Sequence, residues 1–176
     1  LISDREKEEF VLNPIFTRTS IRSYQKEPIG EKDLQLLLKA GMAAPSAGNQ
    51  QPWEFYVVRD PAVLQKLAKA SPYSGCTAKA PAALVLCCRK EGLRYAEDAP
   101  LDMSACCENI LLEATALGLG AVWLGIYPQK DRMQAAAAAL HLPETLEAFS
   151  IVPVGYPEKA AAAQDRFDST RIHTIG

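Results

Sequence analysis

The stretch from Leu101 to Leu119 constrains the fold most. Met103, Cys106, Cys107, Ile110, Leu111, Ala114 and Leu117 keep helical spacing over four turns, and Leu112, Ala116 and Leu119 spread apolar surface to other sides. Glu108, Asn109 and Glu113 are the main polar interruptions. A helix apolar around so much of its circumference has to be buried, either at the centre of a domain or at a subunit interface. Gly118-Leu119-Gly120 ends it, and Ala121 to Tyr127 reads as a strand. The segment is no membrane span, because Glu113, Gly118, Gly120 and Gly125 interrupt the apolar run from Ile110 to Tyr127.

The other periodic segments alternate around it. Glu31 to Met42 reads as a helix with Leu34, Leu37, Leu38, Gly41 and Met42 on one face. Arg5 to Phe16, turning at Asn13-Pro14, Ala62 to Ala70 and Lys130 to Leu142 read as further helices. Trp53 to Arg59, the continuous apolar run Ala82 to Cys88, and Phe149 to Val154 read as strands. Ser71 to Ala80 and Lys90 to Pro100 read as loops, the second exposed and carrying little functional information. Glu158 to Gly176 lacks periodicity; such a tail either dangles or wraps onto a partner chain.

A chain of 176 residues can bury a real core, and residues 1–176 read as a single domain. The net charge of -2 shows no basic excess, so neither nucleic acid nor anionic membrane is an expected partner. The cysteines, Cys76, Cys87, Cys88, Cys106 and Cys107, form two adjacent pairs without a C-x-x-C, which suits reduced, mostly buried thiols in a cytoplasmic protein. Leu1 to Phe10 is charged and has no apolar core of the kind a secretory leader needs.

Two stretches carry chemistry. Ala44-Pro45-Ser46-Ala47-Gly48-Asn49-Gln50-Gln51-Pro52-Trp53 hangs from a helix end and combines small, amide and proline residues, so its backbone can approach a planar polar ligand closely; as a loop it is equally a tight connection ending in a Trp anchor. Thr17 to Tyr24 interleaves Arg18 and Arg22 with hydroxyl residues, a mix suited to a phosphate or to a solvated basic turn. Hydrolytic chemistry has little support, since His141 and His173 lie outside any nucleophile motif, and no metal-ligand cluster is visible. Gly118-Leu119-Gly120 lacks the third glycine of a dinucleotide fingerprint and follows a helix. With no obvious acid, base or nucleophile, the chemistry is expected of a bound organic cofactor.

The segment Arg18-Thr19-Ser20-Ile21-Arg22-Ser23-Tyr24, followed by Ala44 to Trp53, resembles the nitroreductase family of FMN-dependent enzymes. Gly118 to Gly125, then Leu140-His141-Leu142-Pro143, then Val154-Gly155-Tyr156-Pro157 continue the resemblance in order along nearly the whole chain. It implies an α+β fold with a central, mostly antiparallel sheet flanked by helices, in an intertwined homodimer with two FMN sites at its interface. It also implies an oxidoreductase that carries hydride from NAD(P)H through flavin N5 to an electron-poor small molecule, such as a nitroaromatic or quinone, in ping-pong fashion. Alternatives within the same fold are a flavin-binding or interaction protein without nitroreductase turnover, or a member specialised for enoate reduction or dehalogenation. A thiol-redox protein using the paired cysteines is a more distant one.

By the same resemblance, Arg18, Thr19, Ser20 and Arg22 contact the phosphate, ribityl chain and pyrimidine edge of the flavin, with Arg22 near N1 and the C2 carbonyl. Pro45, Ser46, Ala47 and Asn49 match the flavin-contacting loop, in this family often from the other subunit, and Trp53 is the core anchor behind it. Leu124 and Gly125 match the backbone beside N5 and O4. Arg166, with Arg171 as a second candidate, matches the phosphate-binding basic residue of the tail. The chain departs from the family in having Thr19 where many relatives carry a second basic residue, and in lacking a recognisable aromatic lid.

Overall fold

The computed structural model describes residues 13–159 and 161–176. The expected helix Arg5 to Phe16 falls mostly outside them; within them Pro14–Thr17 forms a short helix, α1, in which the Asn13 side chain accepts the Ile15 N–H. The proline expected to turn the chain instead starts a helix, where its missing N–H has no bond to lose.

The helix α2 spans Glu31–Met42 as its periodicity dictates, with Leu34, Leu37 and Gly41 buried. A Cβ on Gly41 would lie 2.9 Å from Ile110 Cδ1 and 3.1 Å from Cys106 Sγ, so glycine sets the close approach of α2 to the central helix. Then come β1 (Trp53–Val58), α3 (Pro61–Leu67, capped by Asp60) and β2 (Ala82–Arg89). The loop between α3 and β2 contains a 3-10 turn at Ser74–Lys79.

The central helix, α4, is Ala99–Ala116. It starts earlier than the apolar pattern suggests because Pro100 is tolerated in the first turn, and it ends earlier because Gly118 takes a left-handed backbone, φ 72°. Its buried side is in the core, packed on α2, β2 and β5, while Leu101 is 69% exposed. The short strands β3 (Gly120–Ala121) and β4 (Leu124–Gly125) follow, then α5 (Lys130–Leu140) and β5 (Leu146–Gly155).

The sheet is antiparallel throughout, in the order β1-β2-β5-β3, with β4 on the same edge of β5 as β3. The strand expected over Ala121 to Tyr127 is therefore in place but interrupted: Ala121 faces Val154 and Leu124 faces Ile151, while between them Trp123 turns its ring to Phe149, 5.8 Å away. Strand β2 explains its own composition. Ala82, Leu84, Leu86 and Cys88 face the core with α2 and α4, while Ala83, Val85 and Cys87 face a second core that Leu64, Leu67, Ala136 and Ala139 of α3 and α5 help to form.

All five cysteines are free, and all but Cys76 are buried. Among the described residues no helix is long and apolar enough to cross a membrane.

Candidate functional site

The arginine and hydroxyl segment lies along the β3 edge. Ile21 N–H donates to Ala121 O at 3.0 Å, and Ser20 stands beside Ala121 in a parallel bridge. The approach requires glycine, since a Cβ on Gly120 would be 2.6 Å from Ile21 Cγ2. Tyr24 fastens the far end: its buried hydroxyl lies 2.6 Å from Ile21 O and 3.1 Å from Pro153 O, and burial raises its pKa. Ser20 and Arg22 are exposed, and Thr19 is half-buried. Arg18 is largely covered, its Nε 3.5 Å from Glu108 Oε1 on α4. Burial also raises the Cys76 thiol, and the nearby Arg22 charge opposes that shift.

The loop before β1 is held in an unusual backbone. Gly48, Asn49 and Gln51 have φ of 54°, 57° and 47°, a left-handed region costly for residues with a Cβ. Ser46 Oγ accepts Gln51 N–H at 3.0 Å, and Asn49 Oδ1 accepts from Gln51 Nε2 at 3.0 Å. Arg89 Nη2 donates to the carbonyls of Gln50 and Gln51 at 2.8 Å each. Buried Asp102 of α4 accepts Ala47 N–H at 2.9 Å and Gln50 Nε2 at 2.7 Å. The ring of Tyr95 lies so close over Gly48 that a Cβ there would meet Cε2 at 2.6 Å. Pro45 and Asn49 are exposed, Ser46 and Ala47 are half-buried, and Trp53 is in the core as expected.

On β4, Leu124 is buried and Gly125 is exposed, opposite Ser150. A Cβ built on Gly125 meets nothing within 4 Å, so the backbone here faces open space. Its carbonyl accepts from Arg132 Nη1 at 3.2 Å. Two residues further on, the Tyr127 ring stacks on Phe149 with centroids 5.6 Å apart. Tyr127 and Phe149 form one wall of a cavity of about 210 Å³, which Leu93, Ala99, Pro100 and Arg89 also line.

The register of β5 separates these segments. Cys88, beside Trp53 at the loop end, faces Glu147, whereas Ala121, beside Ser20, faces Val154. Seven residues of strand, about 23 Å, lie between. Within one chain the register thus sets the segment of Arg18, Thr19, Ser20 and Arg22 and the loop of Pro45, Ser46, Ala47 and Asn49 at opposite ends of the sheet, with Leu124 and Gly125, opposite Ile151 and Ser150, at a level between them on the β3 edge of β5. Arg166 and Arg171 are brought to neither: both are exposed, Arg166 bonded to Gln164 and Arg171 to Asp168 within the tail.

Sequence reasoning missed Asp102, Gln50, Arg89 and Tyr95. Asp102 had one available signal, a carboxylate between Leu101 and Met103 on the most apolar helix of the chain. Tyr95 belongs to the stretch Lys90 to Pro100, which is irregular as expected but does more than connect: it covers the loop.

The fold defines an α+β class built on an antiparallel sheet, with an open glycine backbone on its edge. The nitroreductase family profile matches residues 15–74 and 72–156. The chain belongs to the nitroreductase family. A relative from Archaeoglobus fulgidus, provisionally named NADH dehydrogenase/NAD(P)H nitroreductase, is 45% identical over 169 residues, covering 94% of this chain and 97% of that one. A solved structure from Clostridium acetobutylicum, provisionally named NADH oxidase, superposes with a TM-score of 0.88 at 42% identity, covering 91% of this chain and 97% of that one. A protein from Desulfovibrio desulfuricans, provisionally named a nitroreductase and solved in complex with FMN, superposes with a TM-score of 0.80 at 29% identity, covering 94% of this chain and 96% of that one.

Proposed function

We propose that this chain, as one domain over residues 1–176, is an FMN-dependent oxidoreductase that passes hydride from NAD(P)H to an electron-poor small molecule, a nitroaromatic or a quinone. The observation that carries the reading is the open, side-chain-free backbone at Gly125, on the same edge of β5 as Gly120 and Ala121, to which the segment Arg18 to Arg22 is fastened. A planar ring fits against an exposed glycine backbone that would be blocked by any larger residue. FMN, when bound, supplies hydride acceptance and donation at N5, so the protein needs no acid, base or nucleophile of its own.

The residues then have distinct tasks. Arg18, Thr19 and Ser20 hold the phosphate and ribityl chain, and Arg22 sets a positive charge where the reduced ring is anionic, favouring reduction. The open backbone at Leu124 and Gly125 would lie beside the reactive edge of the bound flavin. The cavity walled by Tyr127 and Phe149 is large enough for one substituted ring, given that about 150 Å³ holds benzene, which supports an aromatic acceptor. Because Pro45, Ser46, Ala47 and Asn49 lie at the opposite end of the sheet from Ser20, a second copy is the natural source of this loop, in a homodimer with two sites. Arg166, or Arg171 as the second candidate, both exposed on the tail, reaches a phosphate from that second copy as well. The free thiols support a reducing, cytoplasmic setting.

Steady-state kinetics test the mechanism. With NADH or NADPH varied at several fixed concentrations of a quinone or nitroaromatic, ping-pong exchange gives parallel double-reciprocal lines; intersecting lines contradict it.

A further inference from the structure

We infer that Asp102 is a positioning residue that fixes the backbone of the 45–51 loop through Gln50, and thereby the loop's affinity for flavin; the second half rests on the function proposed above. Gln50 has no freedom to flip. Its Oε1 accepts Tyr95 N–H at 3.0 Å, and its Nε2 donates to Tyr95 O at 2.9 Å, so the amide nitrogen is the atom turned to Asp102. Asp102 Oδ2 takes that donor at 2.7 Å while Oδ1 takes Ala47 N–H at 2.9 Å. Both oxygens must therefore be acceptors, a demand that a carboxylate meets and an amide does not.

Helix packing gives no reason for a carboxylate here. Asp102 is 5% exposed, on the side of the helix that packs into the core, and burying a charged group is costly unless its hydrogen bonds are made. Among the described residues it has no ion-pair partner, and both of its hydrogen bonds go to the loop. Those bonds lock residues on either side of Gly48 and Asn49, the first two left-handed positions. The strained backbone is held from α4, and the loop does not have to organise itself around a ligand.

The test uses complementarity. Asp102→Asn sets an amide donor against the Gln50 donor, and Gln50→Glu sets an acceptor against the carboxylate. The double variant Asp102→Asn/Gln50→Glu restores one donor facing one acceptor. For each protein, amide hydrogen exchange at Ala47 and Gln51 is measured without flavin, and FMN affinity by fluorescence quenching. Each single variant is expected to speed exchange at both amides and to weaken FMN binding about tenfold, and the double variant to recover part of both. Unchanged exchange in the single variants, faster exchange with unchanged FMN affinity, or no recovery in the double variant overturns the inference. If Asp102→Asn does not fold, Gln50→Glu carries the test alone: it turns an acceptor to both Asp102 and Tyr95 O, so the deciding result is faster exchange at Ala47, whose N–H is bonded to Asp102. Failure of the wild-type chain to bind FMN contradicts the proposed function instead, and the exchange measurements then decide the loop-holding role alone.

Discussion

The Arg18 guanidinium on the segment before β3 lies 3.5 Å from the Glu108 carboxylate on α4. The central helix thus steadies both parts of the candidate site, Arg18 through Glu108 and the 45–51 loop through Asp102. An ion pair with one partner half in solvent contributes little to stability, about 1 kcal/mol or less. Its task is orientation.

Glu108→Gln is accordingly expected to leave unfolding in urea within about 1 kcal/mol of wild type. Arg18→Ala, which removes the charge itself, is expected to weaken FMN binding roughly tenfold, as loss of a charge-assisted hydrogen bond implies. Equal FMN affinity in the Arg18 variant, read by flavin fluorescence, contradicts its role at the phosphate.

Gly125→Val separates folding from cofactor binding. The added side chain enters open space on an edge strand, so stability should hold or rise by up to about 1 kcal/mol. Flavin uptake should be lost. A valine variant that binds FMN normally would remove Gly125 from the site.

Gly48→Ala acts in the opposite way, on the protein itself. The left-handed backbone costs alanine about 1 kcal/mol, and the new Cβ would stand 2.6 Å from the Tyr95 ring. A total loss of about 2–3 kcal/mol is expected in urea titration. Adding Tyr95→Ala should relieve the steric share, and no relief would mean that the ring moves aside freely.

Burial pushes the Cys87 and Cys106 thiols up to about 12 and Cys88 to about 11 from the usual 9.0, and raises Cys107 too. Below pH 9 both folded and unfolded chains keep these thiols protonated, so the preference for the folded state is fully present. Above it the unfolded chain ionises first, and the fold loses stability as pH rises towards the folded pKa of each thiol. Stability should hold from pH 8 to about 9 and fall from there to pH 11. At pH 7.5 iodoacetamide should modify at most Cys76 in the native chain, without loss of flavin; loss of activity on alkylation would favour a thiol mechanism.

The sequence made much of this legible where a single physical signal dominates. The continuous run Ala82 to Cys88 could only be a strand covered on both faces, and the period of Glu31 to Met42 matches its helix end to end. The edge strand Ala121 to Tyr127 was less readable, because its break depends on Trp123 meeting Phe149, a residue 26 positions away. The loop 44–53 announced itself by composition, but not what holds it. Asp102, Arg89 and Tyr95 reach it from distant positions, and a lone Asp in an apolar helix carries no local mark of its partner.

On the proposed function, this fold binds FMN at the Gly125 edge and reduces it with NAD(P)H. The direct measurement is the visible spectrum of the purified protein, supplied with FMN if needed and titrated anaerobically with NADH and NADPH. A bound yellow flavin that bleaches with one or both, and is re-oxidised by a quinone or nitroaromatic, is the predicted result. A colourless chain that takes up no added FMN, or a bound flavin that neither nucleotide reduces, contradicts it.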